Sequence, residues 1–210
     1  FNLGMVSVRM PDGAGRATEY FEASVALCRQ IGYQKIAAYA LNNLAMLVLH
    51  SGEPGRAAAL AQESLALCQE ANDRLGASYA LVNLGNSAVD LGDLTLAEEH
   101  FRASISLIYP LVVHSQRESA LWVLEGMGRL AALQGQTGCA IQLIAAAAAR
   151  RGAGDSFPST AKHYLDQTLH MLRRQLDETY FVAQWAAGQA MTLEEAVALA
   201  FPAVRVGYIR

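Results

Sequence analysis

The chain is poor in lysine, with only Lys35 and Lys162, and poor in charge: 17% of its 210 residues are charged, and the formal net charge is −3. Nucleic-acid binding rests on a concentrated basic face. None occurs here, so no direct nucleic-acid contact is expected. Cysteine is scarce, and three is an odd number without a disulfide-framework spacing. Cys28 and Cys68 stand forty residues apart, and Ile108 takes the next equivalent place. That pattern marks a small apolar core position, and reduced thiols fit a cytoplasmic compartment. Long uncharged runs are missing too. IAAAAA at 144–149 ends in Arg150-Arg151, short of the ~20 residues a membrane span needs. A hydrophobic content of 53% excludes disorder. Phe1-Asn2-Leu3 carries neither a start Met nor a signal-like basic segment, so the chain is expected to be a piece of a longer protein.

What the sequence does contain is a repeat. LNNLAMLVLHSGEPGRAAAL at 41–60 returns forty residues later as LVNLGNSAVDLGDLTLAEEH at 81–100. Gly55-Arg56-Ala57 falls on Gly15-Arg16-Ala17, and a shift of forty-three lays Leu124, Met127, Gly128, Gly135 and Ala140 on Leu81, Leu84, Gly85, Gly92 and Ala97. The extra residues lie in IYPLVVHSQRES, where Pro110 is expected to end one helix or open the next. The first copy is cut short. Within each copy apolar residues recur at three and four, and Gly52, Gly92 and Gly135 stand where a helix C-terminus wants positive φ. Each copy is thus a helix hairpin that cannot bury its apolar face alone, and neighbours must stack into a solenoid.

Beyond Arg151 the period stops. RGAGDSFPS at 151–159 is a loop, with Ser159 or Thr160 as a helix cap. AKHYLDQTLHMLRRQL places Tyr164, Leu165, Leu169, Leu172 and Leu176 on one face of an amphipathic helix. DETYFVAQWAAGQAM is expected to continue helical to Gly188, with Trp185 in the core, and Thr192 with Glu195 forms a capping box. The expected division is a repeat array over 1–151 and capping helices over 152–210.

No catalytic set survives geometry, so no enzyme and no cofactor is expected. His163 and His170, two helical turns or about 10 Å apart, are too distant to share a metal. His50, His100 and His114 lack an acidic or thiol partner at ligand spacing. Asp155-Ser156 has no nucleophile elbow around it. Glu98-Glu99 and Glu194-Glu195 are helix-start charges favoured by the macrodipole.

A small residue in the first helix (Gly4, Ala45, Gly85, Gly128) is followed in copies two to four by Ala57, Ala97 and Ala140, twelve later. An apolar residue usually comes four after that position (Phe21, Phe101, Ile144), then a small one (Ser24, Ser64, Ser104, Ala147). This pattern resembles the tetratricopeptide repeat, lengthened to about forty residues. The expected fold is all-α: a right-handed superhelical solenoid of helix hairpins with a C-terminal helical cap. LALCQEANDRLGASYALVNLGNSAVDLGD, LEGMGRLAALQGQ and FVAQWAAGQAMTLEEAVALA further resemble the C-terminal part of large bacterial LuxR-type and AfsR-like transcriptional regulators. In those proteins a nucleotide-binding switch precedes the repeats. The resemblance implies a cytoplasmic signal-transduction arm that binds a protein, a peptide or a small effector in its concave groove. The alternative is a scaffold or homodimerising arm with no groove ligand.

Carried over residue by residue, the family's groove positions are Tyr39, Asn42, Asn43, Met46 and His50 in the second copy. The third gives Tyr79, Asn83, Asn86 and Asp90, and the fourth gives Trp122, Glu125 and Arg129. Amides offer a donor and an acceptor to an extended backbone, and aromatic side chains supply contact area. Asp90 and Arg129 are expected to face solvent. Asn2, Asn43 and Asn83 share one repeat position, with Gly126 in the fourth copy. Such an amide either meets a ligand or bridges neighbouring repeats.

Overall fold

The computed structural model describes residues 1–10, 13–112, 117–151 and 159–202. Four helix hairpins follow one another: α1 (Asn2–Ser7) with α2 (Ala14–Ile31), α3 (Gln34–His50) with α4 (Pro54–Glu70), α5 (Arg74–Asp90) with α6 (Leu94–Val112), and α7 (Arg117–Leu133) with α8 (Thr137–Ala148). Three further helices follow among the described residues: α9 (Ser159–Gln175), α10 (Glu178–Ala190) and α11 (Leu193–Ala200). Among the described residues there is no strand, and the architecture is an all-α solenoid of helix hairpins.

The turns explain the period. Gly52, Gly92 and Gly135 take φ of 85°, 83° and 77°, a region where a Cβ is strained. Just beyond each, a backbone N–H reaches five residues back: Glu53 to Val48, Asp93 to Ala88 and Gln136 to Ala131, at 3.2, 2.9 and 2.8 Å. These bonds satisfy carbonyls left open at the helix end. Between hairpins the second helix closes similarly, with Asp73 N–H on Cys68 O at 2.8 Å.

Within a hairpin the crossing is close because one side is small. A Cβ on Gly85 would lie 2.6 Å from the Phe101 ring, and one on Gly4 would lie 2.6 Å from Phe21. Serines reinforce the crossing: Ser64 Oγ donates to Ala38 O at 2.7 Å and Ser104 Oγ to Ser78 O at 3.0 Å. Cys28, Cys68 and Ile108 are all buried, as their shared register predicts. Between hairpins, α3 lies against α5 and α5 against α7, so these first helices form one continuous layer.

Two sequence expectations are corrected. Pro110 neither ends α6 nor opens α7, since α6 runs on to Val112. A proline costs most in a helix interior, where it removes a ladder bond and crowds the preceding turn; here little helix follows it. Gly188 is not a helix end: α10 continues to Ala190, after a break in which Asp177 caps its first turn. Gly188 is small because a Cβ there would meet the Gln142 carbonyl at 2.3 Å, where α10 crosses α8. The Thr192–Glu195 capping box is present, and Trp185 is half-buried, stacked on Phe181 at 6.0 Å. Residues 152–158 of the expected loop at 151–159, His114, and the side chains of Ser159, Thr160 and His163 lie outside what is described, and α9 itself begins at Ser159.

Candidate functional site

The layer made by α3, α5 and α7 carries every groove position named from the sequence, and it divides into two halves. The first is an open cavity of about 260 Å³ lined by Tyr39, Asn42, Asn43, Met46, Tyr79, Asn83 and Trp122. Phe1, Met5, Val8 and Arg9 form its far wall. Trp122 is half-buried and lies 5.9 Å from the Tyr79 ring, centroid to centroid. Its indole N–H is buried with no hydrogen-bond partner among the described residues.

The amides of this half do different work. Asn83 is buried and donates from Nδ2 to the Asn42 backbone oxygen at 3.0 Å and to its Oδ1 at 2.9 Å. Asn42 in turn donates to Gly76 O at 3.2 Å. These bonds tie α5 to α3, so Asn83 bridges repeats. Asn43, at the equivalent position, donates to Tyr39 O at 2.8 Å within its own helix and remains half-exposed at the cavity. Tyr39 donates to Asp73 Oδ2 at 3.1 Å. Asp73 also caps α5 by accepting from the Gly76 N–H at 3.0 Å, and Lys35 Nζ stands 3.6 Å away. Burial and the Asp73 carboxylate push the Tyr39 hydroxyl well above its ordinary pKa. Burial works against the Asp73 carboxylate, but Gly76, Tyr39 and Lys35 outweigh it and hold its pKa below the usual value.

The second half is narrower. A cavity of about 60 Å³ remains there, walled by Met46, Leu49, His50, Asn86, Trp122, Glu125 and Arg129 and covered by Tyr164, Leu165 and Thr168 of α9. The Tyr164 ring lies 4.7 Å from that of His50 and 4.4 Å from the Arg129 guanidinium carbon. Its hydroxyl points at Asp90 Oδ2, 2.8 Å away, with Leu49 O at 3.0 Å sharing the one proton. His50 holds Met46 O with Nδ1 at 2.6 Å, which places its proton on that nitrogen.

Asp90 and Arg129 were expected in solvent. They are instead paired with each other, and their side chains are only 17% and 18% exposed. Charges this deep are compensated by a partner rather than by water, and Tyr164 screens the pair. Glu125 is likewise engaged, with Arg151 Nη2 at 2.6 Å and Nε at 2.9 Å from its Oε1. Burial raises the Glu125 pKa, and Arg151 offsets only part of that rise. Tyr164 and Arg151 are thus the site residues that sequence reasoning missed. Tyr164 stood out only as the first member of an apolar face.

Gly126 completes the site. A Cβ there would lie 2.5 Å from the Phe101 ring, so the Asn of the other copies has no room. Residues 37–74, which run from within the first turn of α3 through α4 to the first residue of α5, match the tetratricopeptide repeat. The chain contains a tetratricopeptide-repeat region. No curated protein matches. Tetratricopeptide repeats generally mediate protein–protein interaction, and no helix of the described residues is long and apolar enough to cross a membrane. Among the described residues, no group of three or more His, Cys, Asp or Glu side chains could hold a metal ion.

Proposed function

We propose that the chain is the protein-interaction and effector-sensing arm of a cytoplasmic bacterial transcriptional regulator of the LuxR or AfsR-like type, and that it binds a peptide segment in the open half of its groove. The observation that carries this reading is the open cavity itself. It combines apolar walls with Asn43, which still has an exposed amide, and with Trp122. The Trp122 ring, half-buried beside Tyr79, offers a bound segment an aromatic contact surface. Size favours a peptide over a free effector. At about 260 Å³ the cavity is smaller than the ~300–1,000 Å³ of sites that enclose whole small molecules. It suits one or two side chains of a longer segment. The regulator context rests on the resemblance of 65–93, 124–136 and 181–200.

The test is a peptide-array screen against the full chain, with binders followed by tryptophan fluorescence. The expected result is that Asn43→Ala combined with Tyr79→Ala weakens the binders by at least about ten-fold at unchanged melting temperature. If no peptide binds, or if binders ignore both substitutions, the reading fails.

A further inference from the structure

The second half of the groove is filled from within the chain. Tyr164 of α9 makes contacts that a docked residue would make: one hydroxyl shared between Asp90 and Leu49 O, and one ring between His50 and Arg129. These partners come from three different repeats. Asp90 is 74 residues away in sequence and Leu49 is 115. The helix that brings Tyr164 there is lightly held. Of the twelve described side chains of α9 (164–175), only Thr168 and Leu172 are buried, whereas α5 buries twelve of its seventeen. The two halves of α9 also differ. Leu169, Leu172 and Leu176 pack with Ile141 and Phe181 on α8 and α10, while Tyr164, Leu165 and Thr168 lie over the groove cavity.

We propose that the Asp90–Arg129–His50 seat is a tyrosine-receiving site for a partner helix, and that the N-terminal half of α9 is its resident intramolecular ligand. This rests on reading the concave face as an interaction surface. The partner's chemistry is read from α9: a tyrosine, an apolar residue immediately after it, and a small or apolar residue four positions on. A cationic guanidinium over the ring and a carboxylate at its hydroxyl select tyrosine over phenylalanine. They also oppose a phosphorylated tyrosine, whose charge would meet Asp90. Because α9 fills the seat, a partner binds only the fraction of chains in which it has left, and its apparent affinity falls by that fraction. Trp122 lines both cavities, so a segment extending from the open half reaches the seat directly.

The test uses the full chain, its Tyr164→Ala and Tyr164→Phe variants, and a labelled synthetic peptide of residues 159–170, STAKHYLDQTLH. In Tyr164→Ala, amide exchange over 165–170 should rise at least about ten-fold over wild type. The peptide should bind that variant at least about ten-fold more tightly than wild type, and a peptide with Ala in place of tyrosine should bind neither. Unchanged exchange, or equal peptide affinity for wild type and variant, overturns the proposal. If Tyr164→Ala loses cooperative unfolding, the decision passes to Tyr164→Phe, which keeps the ring but not the hydroxyl donor. Raised exchange and raised peptide affinity then support the proposal, and wild-type behaviour in both overturns it. Asn43 and Tyr79 do not line this seat, so failure of the open-half peptide reading is measured separately.

Discussion

One layer of helices presents two unlike surfaces. Toward Tyr39 and Asn43 the groove holds the larger cavity, with a half-exposed amide and a half-buried tryptophan in its wall; toward His50 and Arg129 the same helices are covered by Tyr164 of α9, and their charges are consumed in internal pairs. The contrast does not come from composition, since both halves mix aromatic, amide and apolar residues. It comes from what lies opposite. Residues of α1 line the first cavity across from Tyr39 and Asn43, whereas α9 lays a tyrosine across Asp90 and Arg129. A repeat array therefore need not offer a uniform groove, even where its repeats align residue by residue.

The covered half should be the more sensitive to loss of a partner. Glu125→Ala leaves Arg151 buried without its carboxylate, and is expected to lower stability by about 3–5 kcal/mol. Glu125→Leu with Arg151→Met should recover most of that loss. Denaturant melts of the three chains decide the matter; a double variant as weak as the single would show that the pair contributes more than mutual neutralisation. Next in size is the size match behind the two halves. Gly126→Asn restores the repeat's own residue but sets a side chain against Phe101, and should cost about 1–3 kcal/mol as overpacking. Stability at wild-type level would mean that the Phe101 ring can move aside.

Asn43 and Asn83 sharpen the comparison within one repeat position. Asn83→Ala removes two bonds to Asn42 in a buried setting and is expected to cost about 1–3 kcal/mol. Asn43→Ala, half-exposed and bonded only within α3, should stay within about 0.5 kcal/mol. Equal losses in thermal melts would erase the distinction between a bridging and a groove-facing amide. A pH-dependent effect concerns Asp73, whose pKa is depressed in the folded chain. Its contribution is present above the unfolded value of about 3.9 and is lost as pH falls through the folded pKa. Asp73→Ala should cost about 1 kcal/mol near neutrality, and the gap to wild type should close below about pH 4. A gap constant down to pH 2 would rule out that role for the carboxylate.

The hairpins were legible because their signals are local. Gly52, Gly92 and Gly135 announce their turns by conformation, and Cys28, Cys68 and Ile108 announce a core position by register. That the first helices of the hairpins lie in one layer was legible for the same reason. What the sequence hid was pairing over long separations. Nothing in the spacing of Tyr164 says that it reaches Asp90 and Leu49, because helical periodicity reports a buried face and not the element that buries it. Asp90 and Arg129 were placed in solvent on that account: each looks like a lone charge until the other repeat and α9 are laid against it. Asn43 and Asn83 were indistinguishable in register, and their difference follows from neighbours outside their own helices. By register Phe21 precedes Asn43, whereas the much smaller Ala61 precedes Asn83.

The Phe101 ring, seated against both Gly85 and Gly126, makes the repeats non-interchangeable. At the junction of the third and fourth copies the Phe101 ring fills the space an asparagine at 126 would need, whereas at the first junction Phe21 is followed by Asn43, so the two junctions are packed differently. The array is consequently an ordered text and not a string of like beads. Shuffling or duplicating its hairpins would fail at this junction first, so growth of the array by simple duplication after the third copy requires a second, compensating change.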